Sequence, residues 1–156
     1  MTARELVKFE VFMELARGLA RLSTCIRSQV GCVIVQPDLS EVLGIGYNGT
    51  PAKSPNGSCR GTPGTCGCIH AEANALVKTR SRDSNLILIT TLSPCEHCAG
   101  LIVNSGRIGK VVYDACYRAG NQAEGILSAA GVELIEWSSL VNEKTHPEDR
   151  SGLENG

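Results

Sequence analysis

Two short motifs in this chain carry residue types that bind zinc and move protons. The first runs from His70 through Ala71 to Glu72, and the second is Pro-Cys-Glu-His-Cys, which holds Cys95 and Cys98. Zinc held by one imidazole and two thiolates keeps a fourth position for water, whose pKa falls to about 7. Glu72 cannot easily share the tetrahedral sphere with His70, but it can reach that water and carry its proton. The spacing therefore predicts a catalytic zinc site.

A Cys-x-x-Cys pair alone is weak evidence, because redox motifs and structural zinc sites share it. Here the pair follows a proline and is combined with an upstream His-x-Glu, which together are a known signature of zinc-dependent nucleobase deaminases. Cys95 and Cys98 also lie at the start of a predicted helix, where the dipole favours thiolates. The alternative of a different class is a zinc-stabilised binding module without turnover. Such a module would have no use for the carboxylate of Glu72.

Length and composition indicate one soluble domain. The chain has 156 residues, a formal net charge of −1 and 4% aromatic residues. This composition argues against a basic, stacking surface for nucleic acid. No apolar run approaches the roughly 20 residues that span a bilayer, and the first six residues do not resemble a signal peptide. We therefore expect a cytoplasmic protein with reduced thiols that binds neither nucleic acid nor membrane.

Hydrophobic periodicity predicts helices and strands that alternate in the second half of the chain. Helices are expected at 6–22, 70–80, 95–105 and 122–130, and strands at 30–35, 41–47, 86–91, 110–114 and 132–137. The first two strands form a predicted antiparallel hairpin, whereas the later strands require parallel crossovers. The prediction is an α/β protein with a five-stranded mixed sheet, followed by a polar tail at 138–156.

Several segments resemble the deoxycytidylate (dCMP) deaminases of the zinc-dependent cytidine/deoxycytidylate deaminase family. The segments are RLSTCIR (21–27), QVGCVIV (29–35), GIGYNGTP (44–51), IHAEANAL (69–76), TLSPCEHC (91–98), LIVNSG (101–106) and VVY (111–113). The similarity extends from about residue 9 to residue 137. It implies a cytidine-deaminase-like, three-layer α/β/α fold and a zinc-dependent deaminase domain at 1–137.

The same resemblance implies an activity and its regulation. Hydrolytic deamination of dCMP to dUMP and ammonia supplies dUMP for dTMP synthesis. The family commonly forms hexamers under allosteric control by dCTP, with Mg²⁺, and by dTTP. Water activated by zinc would attack the pyrimidine carbon that bears the amine, with Glu72 as the proton carrier. Deamination of dCTP, a free nucleoside, guanine or a riboflavin precursor uses the same chemistry and is the alternative.

The resemblance also assigns residues outside the zinc motifs. Asn48 matches an asparagine expected near the nucleotide sugar, although Asn-Gly also makes turns without any ligand. Ala71 is a second substrate-binding candidate. Tyr47 and Gly49 share the Gly-Tyr-Asn-Gly segment with Asn48 and are candidates for an allosteric nucleotide site.

Three further residues are candidates for binding a phosphate. Arg27, Tyr117 and Arg118 offer guanidinium and hydroxyl donors that suit a phosphate monoester. Most surface arginines are merely solvated, so each could equally have no ligand. Arg27 and Tyr117 are assigned to the substrate site and Arg118 to the allosteric site, and the division between the two sites is open.

A second zinc is predicted from the surplus cysteines. The polar segment 50–67 has almost no apolar anchor, so a loop of this length needs another tether. Cys59, Cys66 and Cys68 lie in or next to this loop, and Cys25 precedes the first strand. Some relatives, phage enzymes included, carry a structural zinc with ligands from these two regions. A closed four-cysteine site would order the loop, with unligated thiols or disulfides as the alternatives.

Overall fold

The computed structural model describes residues 1–55, 59–62, 65–117 and 122–145, and these form five helices and five strands. The helices are α1 (Ala3–Ala20), α2 (Ala71–Lys78), α3 (Glu96–Ser105), α4 (Ala123–Ala129) and α5 (Trp137–Thr145). The strands are β1 (Gly31–Val35), β2 (Val42–Tyr47), β3 (Leu86–Leu92), β4 (Ile108–Ala115) and β5 (Glu133–Glu136). All nine predicted elements are present, most with ends shifted by one or two residues.

The five strands form one mixed sheet in the order β2-β1-β3-β4-β5. Strand β1 is antiparallel to both β2 and β3, whereas β4 is parallel to both β3 and β5. The parallel pairs are connected through helices α3 and α4, because a parallel return requires a crossover. The predicted mixed sheet and its antiparallel first hairpin are confirmed.

Helices cover both faces of the sheet and make three layers. Strand β1 shows the division, since Val33 and Val35 face α1 while Cys32 and Ile34 face α2 and α3. This alternation follows from the two-residue period of a strand. All five residues of β1 are buried, as expected for a central strand covered on both faces. The three-layer α/β/α prediction is therefore confirmed.

Helix α2 lies unusually close to strand β2 because two strand positions are glycine. A Cβ atom at Gly46 would collide with the Ala71 carbonyl oxygen and lie 2.6 Å from the Ala75 nitrogen. A Cβ atom at Gly44 would collide with the Thr79 hydroxyl. Backbone approach of this kind is possible only where the strand has no side chain. These glycines therefore set the depth at which α2 sits on the sheet.

The structure corrects the prediction of a polar tail after residue 137. Residues Trp137–Thr145 form helix α5. Trp137 and Leu140 lie three apart, so they share one helix face, and both pack against the core on the α1 side of the sheet. The tail prediction is wrong for 138–145, and residues 146–156 lie outside the described part of the chain. Across the described ranges, every helix is too short or too polar to traverse a bilayer.

Candidate metal centre

The three predicted ligands of the catalytic zinc meet at the starts of two helices. His70 is the N-cap residue of α2, and Cys95 is the N-cap residue of α3. The His70 Nδ1 atom lies 3.3 Å from the Cys98 Sγ atom and 3.5 Å from the Cys95 Sγ atom. A tetrahedral zinc with ordinary Zn–N and Zn–S bonds separates such atoms by about 3.6 Å. The donor set therefore fits zinc in both atom type and spacing.

The pKa values of the two sulfurs in this cluster shift in opposite directions. A hydrogen bond from Cys98, aided by His70, lowers the pKa of Cys95 to about 3. The same hydrogen bond to Cys95, together with burial and the nearby Glu72, raises the pKa of Cys98. The hydrogen bond with Cys95 also raises the pKa of His70. A divalent cation held by both sulfurs would bind them as thiolates and displace any proton that they share.

Glu72 lies in the first turn of α2 and is only 4% exposed. Burial raises the pKa of its carboxyl group to about 7, and Cys98 forms a hydrogen bond with it. A carboxyl group with a pKa near neutrality can both accept and release a proton at neutral pH, which is what a general acid–base needs. The buried Glu72 carboxyl group therefore has properties suited to the proton carrier that the sequence analysis predicted.

A pocket opens beside this cluster. Its lining includes all four substrate-binding candidates, namely Arg27, Asn48, Ala71 and Tyr117. The other lining residues are Cys25, Ser28, Val30, Cys66, Cys68, His70, Glu72, Leu92, Ser93 and Cys95. Glu72 and the predicted zinc ligands His70 and Cys95 thus lie in the same wall as the substrate-binding candidates.

Asn48 is fixed in this pocket by two backbone hydrogen bonds. Its Oδ1 atom accepts from the Val30 nitrogen at 2.8 Å, and its Nδ2 atom donates to the Ser28 carbonyl oxygen at 2.7 Å. The side chain is 6% exposed. It therefore braces the chain that enters β1, a role that the Asn-Gly sequence alone does not indicate.

Two of the allosteric candidates, Tyr47 and Gly49, are not among the described residues that line the pocket. The Tyr47 carbonyl oxygen accepts from Asn74 Nδ2 at 2.9 Å, and Lys78 lies over the Tyr47 ring. Gly49 forms an isolated antiparallel bridge with Ile69, the residue before the first zinc ligand. Arg118 lies outside the described residues.

Ser93 is a pocket residue that the sequence reasoning missed. Its hydroxyl accepts a hydrogen bond from the Tyr117 nitrogen at 2.8 Å, so it holds the start of the segment after β4 against the pocket. Ser93 is 8% exposed. Its position directly before Pro94 in the zinc motif is the sequence feature that could have identified it.

The four cysteines predicted to bind a second zinc form a cluster of their own. The sulfurs of Cys25, Cys59, Cys66 and Cys68 all lie within 4.8 Å of one another. Cys59 Sγ is 3.8 Å from Cys25 Sγ, which is about the separation of two thiolates on a tetrahedral zinc. Backbone N–H groups of Ile26 and Gly61 lower the pKa of Cys59 to about 7. The donor set therefore fits a closed zinc site that tethers the 50–67 segment to the corner before β1.

Comparison with known proteins agrees with this geometry. Residues 7–115 match the family described as the cytidine and deoxycytidylate deaminase zinc-binding region. A deoxycytidylate deaminase of Schizosaccharomyces pombe is 37% identical over 140 residues, covering 81% of this chain and 42% of that protein. One from Mycobacterium phage D29 is 38% identical over 120 residues, covering 67% of this chain and 91% of that protein.

A solved structure matches most of the fold. The crystal structure of the dCMP deaminase from cyanophage S-TIM5 in complex with dCMP and dUMP gives a TM-score of 0.73 at 32% identity. The match covers 87% of this chain and 98% of the cyanophage chain. The fold is thus cytidine-deaminase-like, although this chain spans less than half the length of the S. pombe relative. By sequence and by structure, this chain belongs to the cytidine and deoxycytidylate deaminase family.

Proposed function

We propose that this chain catalyses the hydrolytic deamination of dCMP to dUMP and ammonia. The observation that carries the proposal is the buried Glu72 carboxyl group beside the His70, Cys95 and Cys98 cluster, at the wall of a pocket that His70 and Cys95 also line. The dCMP deaminases among its relatives, and the dCMP and dUMP bound by the cyanophage enzyme, support the choice of substrate. Zinc, when held by these three residues, would lower the pKa of a water molecule toward neutrality and so supply the nucleophile.

The protein's own contribution to the chemistry is proton transfer by Glu72. Its carboxylate takes a proton from the attacking water and passes it to the ring nitrogen next to the amine-bearing carbon. A second proton transfer lets the amine leave as ammonia, so that water and dCMP become dUMP and ammonia. The carboxyl group is suited to both transfers because burial places its pKa near 7.

Binding and orientation are assigned to the residues that line the pocket. Arg27 offers a cation for the 5′-phosphate, and Tyr117 offers a hydroxyl to the same end of the nucleotide. The Asn48 amide retains one N–H beyond the one used by Ser28, and this N–H is available to the sugar. Backbone groups of Ala71, next to the first zinc ligand, would orient the ring.

Ammonia release from a panel of substrates tests the proposal. We expect dCMP to be deaminated with a higher kcat/KM than CMP, dCTP, deoxycytidine or guanine. Faster turnover of dCTP, or of guanine, would replace the proposed substrate by another of the same chemistry. No release from any of them by the zinc-loaded protein would favour a binding module instead.

We also propose that Cys25, Cys59, Cys66 and Cys68 hold a second, structural zinc. The mutual approach of four sulfurs and the backbone N–H groups donated to Cys59 support this. Metal analysis of the purified protein should find two zinc ions per chain. One ion per chain would mean that the four-cysteine cluster is unligated.

The remaining proposals rest on family resemblance. They are supply of dUMP for dTMP synthesis, a cytoplasmic location, a hexamer, and control by dCTP with Mg²⁺ and by dTTP. Tyr47, Gly49 and Arg118 are the residues proposed for the effector site. Kinetics with each effector, together with light scattering, would test control and assembly in one preparation.

A further inference from the structure

The four-cysteine cluster and the pocket share a wall. Cys25, Cys66 and Cys68 line the pocket that also contains Glu72, whereas Cys59 is not among its described lining residues. Cys68 lies only two positions before His70. The cluster is therefore adjacent to the site where the nucleotide would bind, and one of its four ligands can be altered without changing the described wall.

Arg27 lies beside this cluster. It is two residues after Cys25, lines the same pocket as Cys25 and Cys66, and its guanidinium forms a hydrogen bond with Cys66. Arg27 is exposed, so burial does not hold its side chain in place. Ser28, the next residue, is fixed by Asn48 through its carbonyl oxygen. The short segment that carries Arg27 is thus anchored at Cys25 and at Ser28.

The described residues of the polar segment after β2 bury little apolar surface of their own. Most of its described residues are exposed or half-buried, apart from the buried Cys59 and Cys66. Ordering such a backbone costs conformational entropy that its small apolar burial does not offset. If the cluster did not order this segment, substrate binding would have to, and affinity would fall accordingly.

From these contacts we propose that the zinc-loaded four-cysteine cluster sets the affinity for the 5′-phosphate of the nucleotide by holding Arg27 at the pocket wall. The inference rests on the proposed dCMP deaminase function and deepens it. The cluster acts on binding and has no part in the chemistry, because Glu72 and the catalytic ligands lie on α2 and α3. Thiolates around zinc carry net negative charge that would repel a phosphate, and the Arg27 guanidinium beside Cys66 offsets part of it.

The test compares Cys59→Ser with Cys116→Ser. Cys116 is exposed and belongs to neither sulfur cluster, so it is the matched control. For Cys59→Ser we expect loss of one of two zinc ions, a KM for dCMP raised about tenfold or more, and kcat within about twofold of wild type. Direct titration should show that the Kd for dUMP rises by the same factor. Turnover of deoxycytidine, which has no phosphate, should be unchanged, and Cys59→His should restore both zinc and KM.

Several outcomes would overturn the inference while leaving the proposed function standing. One is an unchanged KM for dCMP after the second zinc is lost. The others are an equal rise in the KM for deoxycytidine and a lower KM for dCMP. Absence of dCMP turnover in the wild type would instead reject the proposed function.

If Cys59→Ser does not fold, the wild-type protein gives a second test. Because coupling between the affinities of two ligands is reciprocal, dUMP should raise the affinity for the second zinc in equilibrium competition with a chelator, and deoxyuridine should not. Equal zinc affinities with and without dUMP would reject the coupling.

Discussion

The Arg107 guanidinium donates a hydrogen bond to the Leu76 carbonyl oxygen at 3.0 Å, which ties the end of α3 to the end of α2. The same guanidinium donates to the carbonyl oxygens of Thr79 at 2.9 Å and Ser81 at 3.2 Å. A cation at a helix C-terminus also interacts favourably with the helix dipole. The two helices that carry the catalytic ligands at their first residues are thus joined at their last residues.

Arg107→Met should therefore weaken zinc binding at the catalytic site. Loss of the Arg107 guanidinium leaves backbone carbonyl oxygens at the end of α2 without their charged donor. This costs about 1.5–3 kcal/mol in the free energy of unfolding. Urea unfolding and chelator competition measure the two effects. Arg107→Lys should recover only part of the stability and part of the zinc affinity, because an ammonium group lacks the planar, forked donors of a guanidinium. The exposed Arg82→Met is the control, and equal losses in the two methionine variants would refute the role.

Gly46→Ala should displace α2 and reduce activity. The new Cβ atom would collide with the Ala71 carbonyl oxygen and press on the Ala75 nitrogen, so the helix must move away from the sheet. Overpacking of this kind costs about 1–3 kcal/mol, and the shift would carry His70 and Glu72 with it. Thermal unfolding and kcat/KM measure the change. Gly18→Ala is the control, because nothing lies within 4 Å of its Cβ and a helical alanine should stabilise the protein.

Both clusters of potential metal ligands were predictable from the sequence because metal ligation restricts residue type and spacing more than packing does. His70, Cys95 and Cys98 follow a spaced motif, and a polar loop with too few apolar residues indicated that its cysteines were the tether. The strands were predictable because their apolar runs are short and bounded by turns. In each case the information is local in the sequence.

The features that the sequence did not reveal depend on contacts between distant segments. Helix α5 is polar apart from a few residues. It is held in place because Trp137 and Leu140 pack against the core. The closeness of α2 to Gly46 and the capping of α2 by Arg107 join residues about 25 to 31 positions apart. Neither secondary-structure propensity nor a sequence motif indicates such a contact, because each of the two residues is typical of its own segment.

Glu72→Gln should abolish most of the turnover without removing the zinc. The amide keeps the size of the side chain but cannot carry the proton, and loss of a general acid–base typically costs about 10²–10⁴ in rate. Ammonia release and zinc content should be measured on the same preparation. Glu96→Gln changes an exposed carboxylate between the two cysteine ligands and should leave both unchanged. Near-full turnover by a zinc-loaded Glu72→Gln protein would remove Glu72 from the mechanism.

Asn48→Ala should separate the two roles that the sequence leaves open for this residue. The substitution leaves the Val30 nitrogen without its Oδ1 acceptor, and a buried donor without a partner costs about 1–3 kcal/mol. Loss of the free amide N–H should also raise the KM for dCMP if Asn48 contacts the sugar. Urea unfolding and steady-state kinetics measure these separately, with the exposed Asn104→Ala as the control. Lower stability with an unchanged KM would make Asn48 a brace for the turn alone, because a substrate contact cannot be deleted without a change in binding.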